Sequence, residues 1–155
     1  FFDLSDDMLD VAREKTAALG FEDRVDFRAG DILNLPYPDD SFDVVLSTYS
    51  LCPVYDPAQG GLELYRVLKP GGRLGIAHSV EPSGNFTRWL GEHVEDIAWH
   101  LPWLSMGCRP VTVLPALTRA GAEVVYEKRF GVPLWPFFVF IVTKPNEATP
   151  KSNAD

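Results

Sequence analysis

At 155 residues, 46% of them apolar, the chain has enough material for one compact domain with its own core. Its 14 basic residues against 22 acidic ones leave a net charge of −8, which repels a phosphate backbone and excludes nucleic acid as an expected partner. Two cysteines, Cys52 and Cys108, are too few for a disulfide framework and fit reduced thiols in a cytoplasmic protein. The longest apolar run, Leu134 to Val142, is broken by Pro136 and too short to span a bilayer, so no stable membrane insertion is expected. The chain opens on Phe1-Phe2-Asp3, already inside a strand-like stretch and without methionine, so a longer native protein is expected.

Phe1 to Leu4 reads as the end of a buried strand, after which Ser5 caps a helix with Asp6 and Asp7 in its first turn. Met8, Val11, Ala12 and Leu19 supply an apolar stripe at helical spacing, and Gly20 stops the helix. A carboxylate at a strand's C-terminal tip can accept two hydrogen bonds from a ribose diol, which makes Asp3 a candidate nucleotide ligand; a plain strand-end aspartate is the other reading. Arg24 to Arg28 alternates polar and apolar residues as a short strand does, with Val25 and Phe27 on one side. Gly30-Asp31 then turns the chain out. Asp31 is either a turn residue or an acceptor for an exocyclic amine such as adenine N6, with Ile32 offering an amide and an apolar side chain to the ring.

The loop from Asn34 to Ser41 leads into Phe42 to Ser47, which reads as a fully buried parallel strand. Ligands of open α/β sheets bind at such strand ends, so Ser47 and the residues after it are candidates, Tyr49 among them as a cofactor or substrate contact. Asp56-Pro57 starts a second helix with Leu62, Leu64, Tyr65, Val67 and Leu68 on its apolar side, and Lys69-Pro70-Gly71-Gly72 ends it. A strand from Arg73 to Val80 follows. Between Pro82 and Cys108, Phe86, Trp89, Leu90, Val94, Ile97, Ala98 and Leu101 recur at helical spacing; with Trp99 and Trp103 this segment is a core helix, an aromatic lid or a membrane-surface contact. Val111 to Ala120 reads as a helix, and Glu123 to Phe130 with Phe137 to Lys144 as a terminal hairpin. One domain over 1–144 and a disordered tail over 145–155 are expected. His78, His93 and His100 lack metal-ligand spacing, and no Gly-x-Ser-x-Gly elbow appears, so neither a metal site nor an esterase triad is expected.

Several of these segments together resemble the class I S-adenosylmethionine-dependent methyltransferases. They are Asp3-Leu4-Ser5 followed by Met8-Leu9, Ala29-Gly30-Asp31 through Leu35-Pro36, Asp40-Ser41-Phe42-Asp43, and Arg66-Val67-Leu68-Lys69-Pro70-Gly71-Gly72, in the family's order and spacing. The resemblance covers most of residues 1–144. It implies a Rossmann-like α/β sheet with a C-terminal antiparallel hairpin, S-adenosyl-L-methionine as cofactor, ribose on Asp3, and adenine beside Met8-Leu9 and Asp31. The cofactor-binding residues it implies are Asp3, Leu4, Met8, Asp31, Ile32 and Ser47. A narrower likeness to thiol and phospholipid methyltransferases runs through Leu51-Cys52-Pro53-Val54, Ala98-Trp99-His100-Leu101 and Gly107-Cys108; it implies a small apolar or thiol-bearing acceptor under the Trp-rich helix. The family's first strand and its Gly-rich loop, which cradles the methionine end of the cofactor, are missing from this sequence. A gap beside the strands built from Phe2 and Val44 is therefore expected, and either the native protein is longer or this piece is inactive alone.

Methyl transfer from a sulfonium is an in-line displacement that gains chiefly from positioning, so it needs no protein nucleophile. For an acceptor that must lose a proton, His78 is the candidate base, with Tyr49 and His100 behind it. Two rivals remain open: a non-catalytic methyltransferase-like binding module, and a nucleotide-dependent oxidoreductase, against which the terminal hairpin argues. The sequence leaves the acceptor and the oligomeric state undetermined.

Overall fold

The computed structural model describes residues 1–81, 110–132 and 135–146. The Trp-rich segment, with His93, His100 and Cys108, and residues 147–155 of the expected tail lie outside them. The elements are β1 (Phe2–Asp3), α1 (Asp6–Ala18), a 3-10 turn (Glu22–Arg24), β2 (Arg28–Ala29), β3 (Phe42–Thr48), α2 (Pro57–Arg66), β4 (Leu68–Ser79), α3 (Leu114–Arg119), β5 (Glu123–Val132) and β6 (Trp135–Thr143).

Two sheets carry the strands. β1 and β2 pair in parallel, and β3, β4, β6 and β5 form a four-stranded sheet in that order. β4 runs parallel to β3, while β6 is antiparallel to both β4 and β5, so β5 and β6 make the terminal hairpin. β1 and β3 do not pair with each other, and this separation is the gap expected beside Phe2 and Val44. β3 is therefore an edge strand of its sheet. Its apolar run is not fully buried, because Val44 and Leu46 are 68% and 75% exposed, while Ser47 is buried. Phe1 and Leu4, read as part of a buried strand, are also exposed, since β1 has one neighbour among the described residues.

Local chemistry explains most boundaries. Ser5 caps α1 by accepting from the Met8 amide, and Gly20 leaves the helix with φ +70°. α1 buries Leu9 and Thr16, whereas Met8, Val11 and Leu19 of the expected stripe are exposed. The strand expected over 24–28 shifts to Arg28–Ala29, because the chain first closes a 3-10 turn (Arg24 N–H to Phe21 O, 3.0 Å) and β1 pairs only with the two residues that follow. Asp56 caps α2 through the Gln59 amide, with Pro57 at the first turn.

The Lys69-Pro70-Gly71-Gly72 stretch ends α2 at Arg66, as its breakers require, yet it belongs to β4. Phe42 pairs with Leu68 and Val44 with Arg73, so the intervening residues form a bulge. Gly71 has φ +77°, and a Cβ on Gly72 would lie 2.8 Å from the Lys69 carbonyl oxygen, which explains the glycine pair. α3 begins at Leu114, later than Val111, with Pro115 in its first turn. Leu74 and Ile76 of β4 and Phe140 and Val142 of β6 form the sheet side of the core; Leu64 and Tyr65 of α2 with Val113 and Leu117 close it.

Candidate functional site

The strand ends and loops named in the sequence occupy the C-terminal edges of β1, β2, β3 and β4. Asp3, half-buried at the tip of β1, accepts the Ser5 amide on Oδ1 at 2.9 Å. Its Oδ2 has no hydrogen bond among the described residues. Asp31, an exposed residue, follows the end of β2 and repeats the pattern: Oδ1 accepts from the Leu33 amide at 2.9 Å, and the other oxygen has no hydrogen bond among the described residues. Asp31 is thus a turn residue, and its second oxygen remains available as an acceptor. Gly30 ties the two, its amide donating to the Asp3 carbonyl at 3.0 Å. Leu4 and Met8 are exposed beside this pair, and Ile32 is half-buried against the core. Each carboxylate thus has one oxygen held by a local turn and a second with no hydrogen bond among the described residues, able by its chemistry to accept from a hydroxyl or an amine.

The loop after Asp31 is pinned from behind. Leu35 is buried and donates its amide to Glu63 at 3.1 Å, while Arg66 donates to the carbonyls of Leu35 (3.1 Å) and Tyr37 (2.9 Å), to Glu63 and to Asp39. The Arg66 guanidinium holds the Glu63 carboxyl below its usual range, against a smaller opposing push from burial. Lys144, at the end of β6, donates to the carbonyls of Tyr65, Arg66 and Leu68 and to Asp40, which places a cation at the C-terminus of α2. The sequence reading quoted Arg66 within a motif but missed this clamp; the Glu63-x-x-Arg66 spacing was its signal.

At the end of β3, Ser47 is buried and its hydroxyl lies 2.6 Å from that of Ser50, so the side chain is engaged inside the fold. Tyr49 holds φ +57°, an uncommon conformation for a bulky residue, fixed by its amide donating to the Ala77 carbonyl (2.9 Å) and by its ring meeting Phe137 edge-on at 5.8 Å. Such strain concentrates at functional positions, and nothing in the sequence signalled it.

His78 is fully buried on β4, with Phe138 and Phe140 edge-on to its ring at 6.0 and 5.9 Å. Nδ1 lies 3.0 Å from the Ser79 carbonyl; a carbonyl can only accept, so Nδ1 carries the proton. Burial lowers the imidazole pKa, the Ser79 hydrogen bond opposes this, and Arg129 lowers it further, which favours the neutral ring. His78 and Phe138 pair on one face of the sheet, whereas Phe137, which holds Tyr49, points to the other. The two candidate catalytic side chains are therefore not brought together. Among the described residues no His, Cys, Asp and Glu cluster could hold a metal ion, and no helix is long and apolar enough to cross a membrane.

The chain is similar to known proteins in sequence and in fold. Residues 1–76 match the family model described as a methyltransferase domain. The chain is 34% identical over 109 residues to a demethylmenaquinone methyltransferase of Lactobacillus johnsonii, covering 61% of this chain and 45% of that protein. It spans less than half the length of the curated relatives it matches. Its fold is that of the (4+2)-cyclase SpnF (TM-score 0.71, 21% identity, covering 94% of this chain and 66% of that one). It is also that of geranyl diphosphate methyltransferase in complex with S-adenosylmethionine (TM-score 0.69, 15% identity, 92% of this chain and 67% of that one).

Proposed function

We propose, from the match of residues 1–76 to a methyltransferase-domain family and from a fold shared with a methyltransferase of known structure, that this chain is part of a class I S-adenosylmethionine-dependent methyltransferase and takes part in methyl transfer to a small-molecule acceptor. The observation that carries this reading is the pair of strand-end carboxylates, Asp3 and Asp31, each with one oxygen held by a turn amide and the other without a hydrogen bond among the described residues. Asp3 holds the ribose hydroxyls, Asp31 the adenine amine, and Leu4, Met8 and Ile32 offer apolar contact to the base. Ser47, with its hydroxyl tied to Ser50, acts by fixing the backbone that leads to Tyr49. When bound, S-adenosylmethionine supplies a methyl group on a positive sulfur, and the protein's part is to orient the reacting atoms and exclude water. The relative from Lactobacillus johnsonii supports a small-molecule acceptor. The buried free thiol of Cys52 supports a reducing, cytoplasmic setting.

A second reading, a non-catalytic binding module, is favoured by the exposed Val44 and Leu46 on the edge strand β3. Backbone amide shifts recorded while S-adenosylhomocysteine is added separate the two. Methyl transfer expects the largest changes at Asp3–Ser5, Gly30–Leu33 and Thr48–Ser50. Changes confined to β3 and β5, or none, favour the module.

A further inference from the structure

We propose that the outer edge of β5 is the contact surface of a twofold-symmetric dimer, in which β5 of a second copy of this chain pairs with it antiparallel about an axis through Lys128. β5 is the outermost strand of its sheet, paired among the described residues with β6 alone. Every residue from Glu123 to Gly131 is exposed, including the rings of Tyr126 and Phe130. An edge strand offers its row of N–H and C=O groups to another strand, and at ten residues β5 is long for one. Prolines and bulges blunt such edges; this strand holds no proline, and its register shift lies near its start, between Val124 and Tyr126.

Register and charge select a second copy as the occupant. From Tyr126 to Phe130 the side chains alternate: Tyr126, Lys128 and Phe130 stand beside Ile141, Val139 and Phe137 of β6 on one face, Glu127 and Arg129 beside Phe140 and Phe138 on the other. Directly opposed residues of antiparallel strands share a face, so a twofold axis relating two β5 strands passes through a residue. An axis through Glu127 or Arg129 sets like charges together and makes no ion pair. The axis through Lys128 places Glu127 of each copy opposite Arg129 of the other, and Tyr126 opposite Phe130, each twice. Phe130 already meets Phe137 at 5.6 Å, so the incoming Tyr126 extends an aromatic row. The Arg129 guanidinium lies 5.3 Å from the Phe138 ring centre, a stack that uses its face and none of its five N–H donors. Lys128 meets its own copy on the axis, but its long stem carries the ammonium into water, where a like-charge pair costs little. The net charge of −8 opposes association, and the contact is one strand wide, so the dimer is weak. The inference stands apart from the adenosyl reading.

The test is the mass of the full chain by light scattering across about 1–500 μM, with the midpoint of dimer formation expected at about 10–100 μM. Glu127→Arg, which sets arginine against arginine twice, is expected to weaken the dimer at least about tenfold. Adding Arg129→Glu to it exchanges the two signs and is expected to restore the dimer. A monomer at every concentration, a dimer indifferent to Glu127→Arg, or a folded double variant that stays monomeric would overturn the proposal. Cysteine crosslinking reads the same register without touching either charged partner. In Lys128→Cys the two thiols meet on the axis, with Cα atoms about 4.5–5.5 Å apart, within reach of a disulfide. Glu123→Cys lies on the same strand but five residues from the axis. Oxidation is expected to link Lys128→Cys into dimers well above the level of the unmodified chain and to leave Glu123→Cys at that level. Equal linking of the two variants, or none in either, would overturn the register and the proposal with it.

Discussion

Asp3→Asn is expected to weaken binding of S-adenosylhomocysteine by roughly 10- to 100-fold. Hydrogen bonds to a charged group contribute about 1.5–3 kcal/mol, and about 1.4 kcal/mol is tenfold in affinity. Asparagine can still accept the Ser5 amide on its oxygen, so the turn that starts α1 survives. What it loses is the outward carboxylate oxygen, replaced by an NH2 that cannot accept a ribose hydroxyl. The fold is therefore expected to stay intact while affinity drops. Asp7→Asn, on the exposed first turn of α1, is the matched control and is expected to change affinity less than about twofold. Calorimetry on the three proteins reads the result, and an Asp3→Asn chain that binds like the unmodified one removes Asp3 from the site.

Arg66→Ala is expected to cost about 2–3 kcal/mol of stability, less than a fully buried pair because the guanidinium is partly exposed. The substitution leaves Glu63, only 12% exposed, without its partner, and it strips the Leu35 and Tyr37 carbonyls of their donor. The loss falls on the loop between Asp31 and β3, so the effect reaches the site as well as the fold. The acid dependence follows from the lowered Glu63 pKa. A carboxyl whose folded value is depressed contributes stability above its unfolded value, here 4.5, and that contribution is lost as pH falls through the folded value. Denaturant unfolding at pH 7 and at about pH 3 is expected to show a large gap between the two proteins at the higher pH and a smaller one at the lower. An unchanged gap would show that Arg66 acts only through the loop carbonyls.

How much of this was legible in the sequence depended on whether the signal was local. Ser5, Asp56-Pro57 and Gly20 punctuate the chain through hydrogen bonds or dihedral freedom within a few residues, and the structure places the helix ends there. The hairpin was legible because two β-rich runs, Glu123 to Phe130 and Phe137 to Lys144, are joined by a short link that contains Gly131 and Pro133. Burial was harder to read, since it depends on neighbours in space. The apolar residues of β3 read as core, but a strand at the edge of its sheet exposes Val44 and Leu46. The KPGG stretch read as a terminator and is also a bulge, because the register with β3 is set by pairing across strands. Among site residues, the positions of Asp3 and Asp31 at strand ends were legible. The burial of the Ser47 hydroxyl, the left-handed Tyr49 and the orphaned Nε2 of His78 were not, since each depends on side chains brought close only by the fold.

The central claim is that the strand-end carboxylates hold an adenosyl ligand. Calorimetric titration of the unmodified full chain with S-adenosylhomocysteine tests it most directly. The account expects saturable, one-to-one binding that weakens when the ribose 2′-hydroxyl is removed from the ligand. A folded chain that shows no heat of binding up to about 1 mM ligand, or that binds the 2′-deoxy ligand equally well, would contradict it.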